Sequence, residues 1–127
     1  MDESARYRLL IAGERVAPEQ GTYAVVNPAT EQVVGDAPEA SIGQAEAAAA
    51  AAAEAFPSWS RTTPEARAEL LDRAADLVLK AADELVPLVQ AETGATLAIA
   101  RHMQVPITAA RLRRYARGAL EPRDIAI

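Results

Sequence analysis

Cysteine is absent from all 127 residues, which excludes a disulfide framework, a Cys-based metal site and a cysteine nucleophile within this chain. Aromatic residues are scarce, at 4%, and much of the hydrophobic half of the sequence is alanine. Buried surface must therefore come from Leu, Val, Ile and a few rings, and a core built by this chain alone should be thin. Positive charge is outnumbered: 13 Lys and Arg stand against 18 Asp and Glu, for a formal net charge of -5. That balance opposes a phosphate-backbone partner, so no nucleic-acid partner is expected. The local exception, Arg111, Arg113, Arg114 and Arg117, fans out around more than one face of a helix and reads as a solvated surface. Long apolar runs are missing too. The longest nonpolar stretch, Ala47 to Ala53, is too short to span a bilayer, and Met1 to Arg8 carries mixed charge without an apolar signal core. The expectation is a soluble, cytoplasmic protein with no membrane partner.

What is present begins with alternation of period two. Tyr7 to Ala12 reads as a strand, Gly13-Glu14 as a tight turn, and Arg15-Val16 as the returning strand. A second pair follows, Thr22 to Val26 and Glu31 to Val34. Between them lies Asn27-Pro28-Ala29-Thr30, where Pro28 presets its own φ and biases Asn27 away from helix, so the chain should reverse. The expected product is a small antiparallel sheet over residues 7–36.

From Ser41 the period changes to about 3.6, characteristic of a helix. Ser41 and Gln44 have the spacing of a capping box, and the helix they open should run to about Ala55 on strong alanine propensity. Phe56-Pro57-Ser58-Trp59-Ser60 is expected to interrupt it as a packed corner. Thr63-Pro64-Glu65 supplies an N-cap, a proline at the first helical position and an acid in the first turn. The helix that follows should bury Leu70, Leu71, Ala74, Leu77, Val78 and Ala81 on one side. Asp83 is placed to cap a shorter helix that ends at Gly94. A last helix is expected from about Leu97 to Arg117, stopped by Gly118 and kinked or broken near Gln104 by Pro106. The fold class is therefore α+β and mostly helical: small amino-terminal antiparallel strands, a helical region over 41–118 and an extended tail over 119–127.

Several short features, in this order, resemble the start of the aldehyde dehydrogenase superfamily. Leu10-Ile11-Ala12-Gly13-Glu14 is similar to the family's strand and I-x-G-E/K turn, Val26-Asn27-Pro28-Ala29-Thr30 to its V-N-P-A-T, and Ala55-Phe56-Pro57-Ser58-Trp59 to A-F-x-x-W. Thr63-Pro64-Glu65-Ala66-Arg67 with Leu70-Leu71, Ala74-Ala75-Asp76-Leu77, Ala82-Asp83-Glu84-Leu85 and Glu92-Thr93-Gly94 continue the series. Leu112-Arg113-Arg114-Tyr115-Ala116 is similar to L-R-Y-Y-A. Shared order and spacing over residues 7–118 carry the resemblance, since each piece alone is short. The chain departs from the family at Ala95-Thr96, where Lys and Pro are frequent, and at Pro106, within a segment usually written as unbroken helix.

The resemblance implies the amino-terminal segment of an enzyme that oxidises an aldehyde to a carboxylic acid. A thiolate attacks the aldehyde, hydride passes to NAD or NADP, and water releases the acid. The family's cofactor turn, glutamate base, oxyanion-hole asparagine and nucleophilic cysteine all lie downstream of the residues matched here, so no catalytic and no cofactor-binding residue is expected in this chain. Neither a G-x-G-x-x-G nor a P-loop pattern occurs, and the lone His102 has no evident orienting partner. The resemblance also implies a monovalent-cation site using a backbone carbonyl before the N-P turn and an acid of the E/D-x-G motif, which here match Val26 and Glu92. The expected partners are the remainder of the dehydrogenase subunit and further copies in a homo-oligomer. On this reading the chain is structural within the enzyme and inactive alone, with no cofactor of its own. The other reading is a free-standing helical interaction module derived from the same family.

Overall fold

Ala12 and Gly13, at φ 53° and 83°, make the first reversal of the chain. The computed structural model describes residues 8–121, and the strand expected to start at Tyr7 has that first residue outside them. β1 (Leu9–Ile11) pairs antiparallel with β2 (Glu14–Val16), Leu9 opposite Val16 and Ile11 opposite Glu14. The turn is thus Ala12-Gly13, one residue earlier than Gly13-Glu14. Two consecutive positive φ values match the right-handed strand twist in a two-residue hairpin, and Glu14 is thereby free to pair.

β3 (Thr22–Val26) pairs antiparallel with β4 (Val33–Pro38) in a separate two-stranded sheet, so the single small sheet expected from the sequence is two hairpins. β4 begins at Val33, not Glu31, because the reversal is longer than the tetrapeptide. Asn27 accepts from Glu31 N at 2.8 Å, Glu31 sits at φ 60°, and the ladder resumes with Asn27 N donating to Gln32 O at 2.9 Å.

The chain divides into two compact units, residues 1–61 and 62–127. In the first, α1 (Ile42–Trp59) opens on the expected capping box: Ser41 Oγ accepts from Gln44 N, and the Gln44 side chain accepts from Ser41 N. The helix runs on through Pro57 rather than ending at Ala55. Proline withholds one donor, the one that would reach the Ala53 carbonyl, and the ladder resumes with Ser60 N donating to Phe56 O at 2.8 Å. Phe56 and Trp59 are 63% and 47% exposed, so the expected packed corner is instead an exposed last turn.

In the second unit, α2 (Pro64–Lys80) begins as read, with Thr63 Oγ1 accepting from Ala66 N. α3 (Ala82–Thr93) follows after Ala81 alone. Asp83 lies inside its first turn and does not cap it; with so short a link, Ala81 already occupies the cap and accepts from Leu85 N at 2.9 Å. Gly94 ends α3 in the left-handed conformation, φ 68°. The last helix is composite: α4 (Leu97–Ile99), a π-helical turn (Ala100–Gln104) and α5 (Val105–Leu120). The disturbance expected near Gln104 takes the form of this wide turn, closed by Val105 N donating to Ala100 O just before Pro106, which has no N–H to continue the ladder. α5 passes Gly118 and continues to Leu120, since glycine weakens a helix without forbidding it; the tail beyond Glu121 lies outside the described residues.

The core is as thin as the composition implies. Its buried apolar residues are Ala68, Ala75, Val86, Ala100, Val105, Ala109 and Ala116, and no large side chain is fully buried among the described residues. α2 packs chiefly against α5, and the buried residues of α2 are Ala68 and Ala75. Alanines let two helix backbones come close, so the packed stripe follows Ala68, Leu71, Ala75 and Val78, while Leu70 and Leu77 fall to its exposed flanks. The sequence reading put both leucines in the stripe. Val86, Ala100 and Val105 form a second cluster, with Val78, Ala82, Leu85 and Val89 against it. Among the described residues no helix is long and apolar enough to cross a membrane.

Candidate functional site

Val26 is the last residue of β3, and the ladder is irregular between Val25 and Val26. The following turn is held locally: Asn27 Oδ1 accepts from Ala29 N at 2.9 Å, and the Asn27 carbonyl accepts from Glu31 N. The Asn27 carbonyl also accepts from Thr30 N at 3.3 Å, so this oxygen is spent inside the turn. Val26 itself is about half exposed.

Glu92 is exposed in the last turn of α3, immediately before Thr93 and Gly94. Thr93 Oγ1 donates to Val89 O at 2.7 Å and accepts from Ala95 N at 3.3 Å, so the helix end is pinned around the carboxylate's backbone. Val26 belongs to the first unit and Glu92 to the second, and each is positioned by its own unit. Among the described residues no group of three or more His, Cys, Asp or Glu side chains gathers. His102 is exposed on the π-helical turn.

At α1 the Gln44 N–H is taken by Ser41, and at α2 the Ala66 N–H is taken by Thr63. Of the four arginines of α5, Arg113 is paired with Asp76 on α2 at 2.6 Å, while Arg111, Arg114 and Arg117 line a concavity beside Tyr115.

The profile of the aldehyde dehydrogenase family matches residues 16–125. This chain belongs to that family. An aldehyde dehydrogenase from Alternaria alternata is 38% identical over 109 residues, covering 84% of this chain and 22% of the relative. Aldehyde dehydrogenase 1 of Tanacetum cinerariifolium is 36% identical over 115 residues, covering 88% of this chain and 23% of the relative. A solved structure of a mutant aldehyde dehydrogenase C from Pseudomonas syringae, with NAD+ and octanal, is similar at a TM-score of 0.87 and 36% identity. It covers 97% of this chain and 25% of that one. The chain thus spans about a quarter or less of the length of these relatives, and it corresponds to the family's amino-terminal segment.

Within the family segment, the residue whose role sequence reasoning understated is Gln44. Its spacing from Ser41 marks it as half of a capping box. Its side chain also accepts from Glu19 N at 3.0 Å and donates to Ala17 O at 2.8 Å, and Ser41 Oγ hydrogen-bonds Glu19 Oε2. A buried amide making these three bonds joins the β2–β3 loop to the start of α1. The only advance signal was a glutamine at a cap position, and the spacing of 25 and 27 residues to its partners hid the rest.

Proposed function

We propose that this chain is the amino-terminal structural segment of an NAD(P)-dependent aldehyde dehydrogenase, acting as one piece over 1–127, and that it is inactive without the remainder of its subunit. The observation that carries this is the fit to the Pseudomonas syringae enzyme: nearly the whole chain superposes on a quarter of a protein solved with NAD+ and octanal. The chemistry requires a thiolate, and none of the 127 residues is cysteine. Incubated with octanal and either NAD+ or NADP+, the purified chain should give no absorbance change at 340 nm. Turnover that persists through repeated purification would overturn the inactive reading. A separate test is the reading frame after Ile127: a continuation encoding a cysteine and a glycine-rich turn supports the segment, and a stop codon supports a free-standing interaction module.

The cation site belongs to the same reading. Val26 contributes its carbonyl and Glu92 its carboxylate, with further oxygens from outside this chain, because a monovalent cation takes several oxygens at once. In the full-length subunit, melting in potassium chloride should exceed that in choline chloride at equal ionic strength, and Glu92→Gln should abolish the difference. An unchanged difference rules Glu92 out.

Association and location complete the proposal. Leu70 and Leu77 of α2 are exposed, and both two-stranded sheets leave edges open among the described residues, which invites a further copy. The chain is expected to form a homo-oligomer, and sedimentation over a range of concentrations decides it, a compact monomer throughout being the contrary result. A cytoplasmic location is part of this reading and is tested by cell fractionation.

A further inference from the structure

We draw no further inference here: the strongest candidate, the concavity lined by Arg111, Arg114 and Arg117 beside Tyr115 on the last turns of α5, is made of exposed side chains from one helix, and nothing in the structure shows what covers it.

Discussion

The Gln44 side chain donates from Nε2 to the carbonyl of Ala17, 27 residues earlier, at 2.8 Å. Its Oε1 accepts from the backbone of Glu19 and of Ser41 in the same buried position. Gln44→Ala would strand these partners where water reaches them poorly. The expected loss is about 1–3 kcal/mol, the usual cost of unpaired, partly buried polar groups. Gln44→Glu keeps the acceptor but sets a carboxylate against the Ala17 carbonyl, and should be no better tolerated at neutral pH. Urea denaturation of the three proteins measures both effects; a loss below about 0.5 kcal/mol for the alanine variant contradicts the account.

Ala12 holds a left-handed backbone that glycine or asparagine adopts more easily. Ala12→Gly should raise stability by roughly 0.5–1 kcal/mol and Ala12→Asn by less, because the folded hairpin already has the geometry they prefer. Ala12→Val should do the opposite. Melting midpoints rank the three, and a glycine variant that melts lower than the parent chain refutes the assignment of strain to this residue.

Size, not hydrophobicity, decides what α2 tolerates. Ala75 is completely buried, whereas Leu77 two residues later is 65% exposed. Ala75→Leu adds apolar surface yet should cost about 1–3 kcal/mol, since α2 and α5 would have to move apart. Leu77→Ala removes apolar surface and should change stability by less than about 0.5 kcal/mol. Denaturant midpoints showing the reverse order would mean that the packed stripe lies elsewhere.

Arg113 and Asp76 meet at 2.6 Å with 42% and 69% of their side chains exposed. Solvent at both groups screens the attraction, so a double-mutant cycle with Arg113→Ala and Asp76→Ala should give a coupling below about 1 kcal/mol that shrinks further in high salt. A larger, salt-insensitive coupling would show the pair to be shielded by something else.

What could be read in advance was what neighbouring residues decide among themselves. The Ser41 capping box, the Thr63-Pro64-Glu65 start and the Gly94 stop are each complete within four residues, and all three stand. The errors fall where two local rules compete. Pro57 and Gly118 read as stops, but each weakens only part of one turn, and the neighbouring helical bonds outweigh it. Leu70 and Leu77 obey helical spacing as well as Leu71 and Val78 do; which of them is covered depends on how closely α5 approaches, and that is set by alanines far along the chain. The candidate site follows the same division. The place of the reversal after Val26 was legible in Asn27-Pro28, but not its length, which depends on the left-handed Glu31.

The π-helical turn at Ala100–Gln104 amounts to an ordinary helix with one surplus residue. One residue corresponds to roughly 100° of rotation about a helix axis, so that surplus sets which way Leu97, Ile99 and Arg101 point while α5 keeps its own orientation. The backbone here can therefore change length by one residue and trade a wide turn for a regular one, at the expense of re-aiming everything upstream as far as Gly94. Gln104, whose Oε1 is shielded from solvent without a hydrogen-bond partner among the described residues, sits at the seam where such an insertion or deletion would be absorbed.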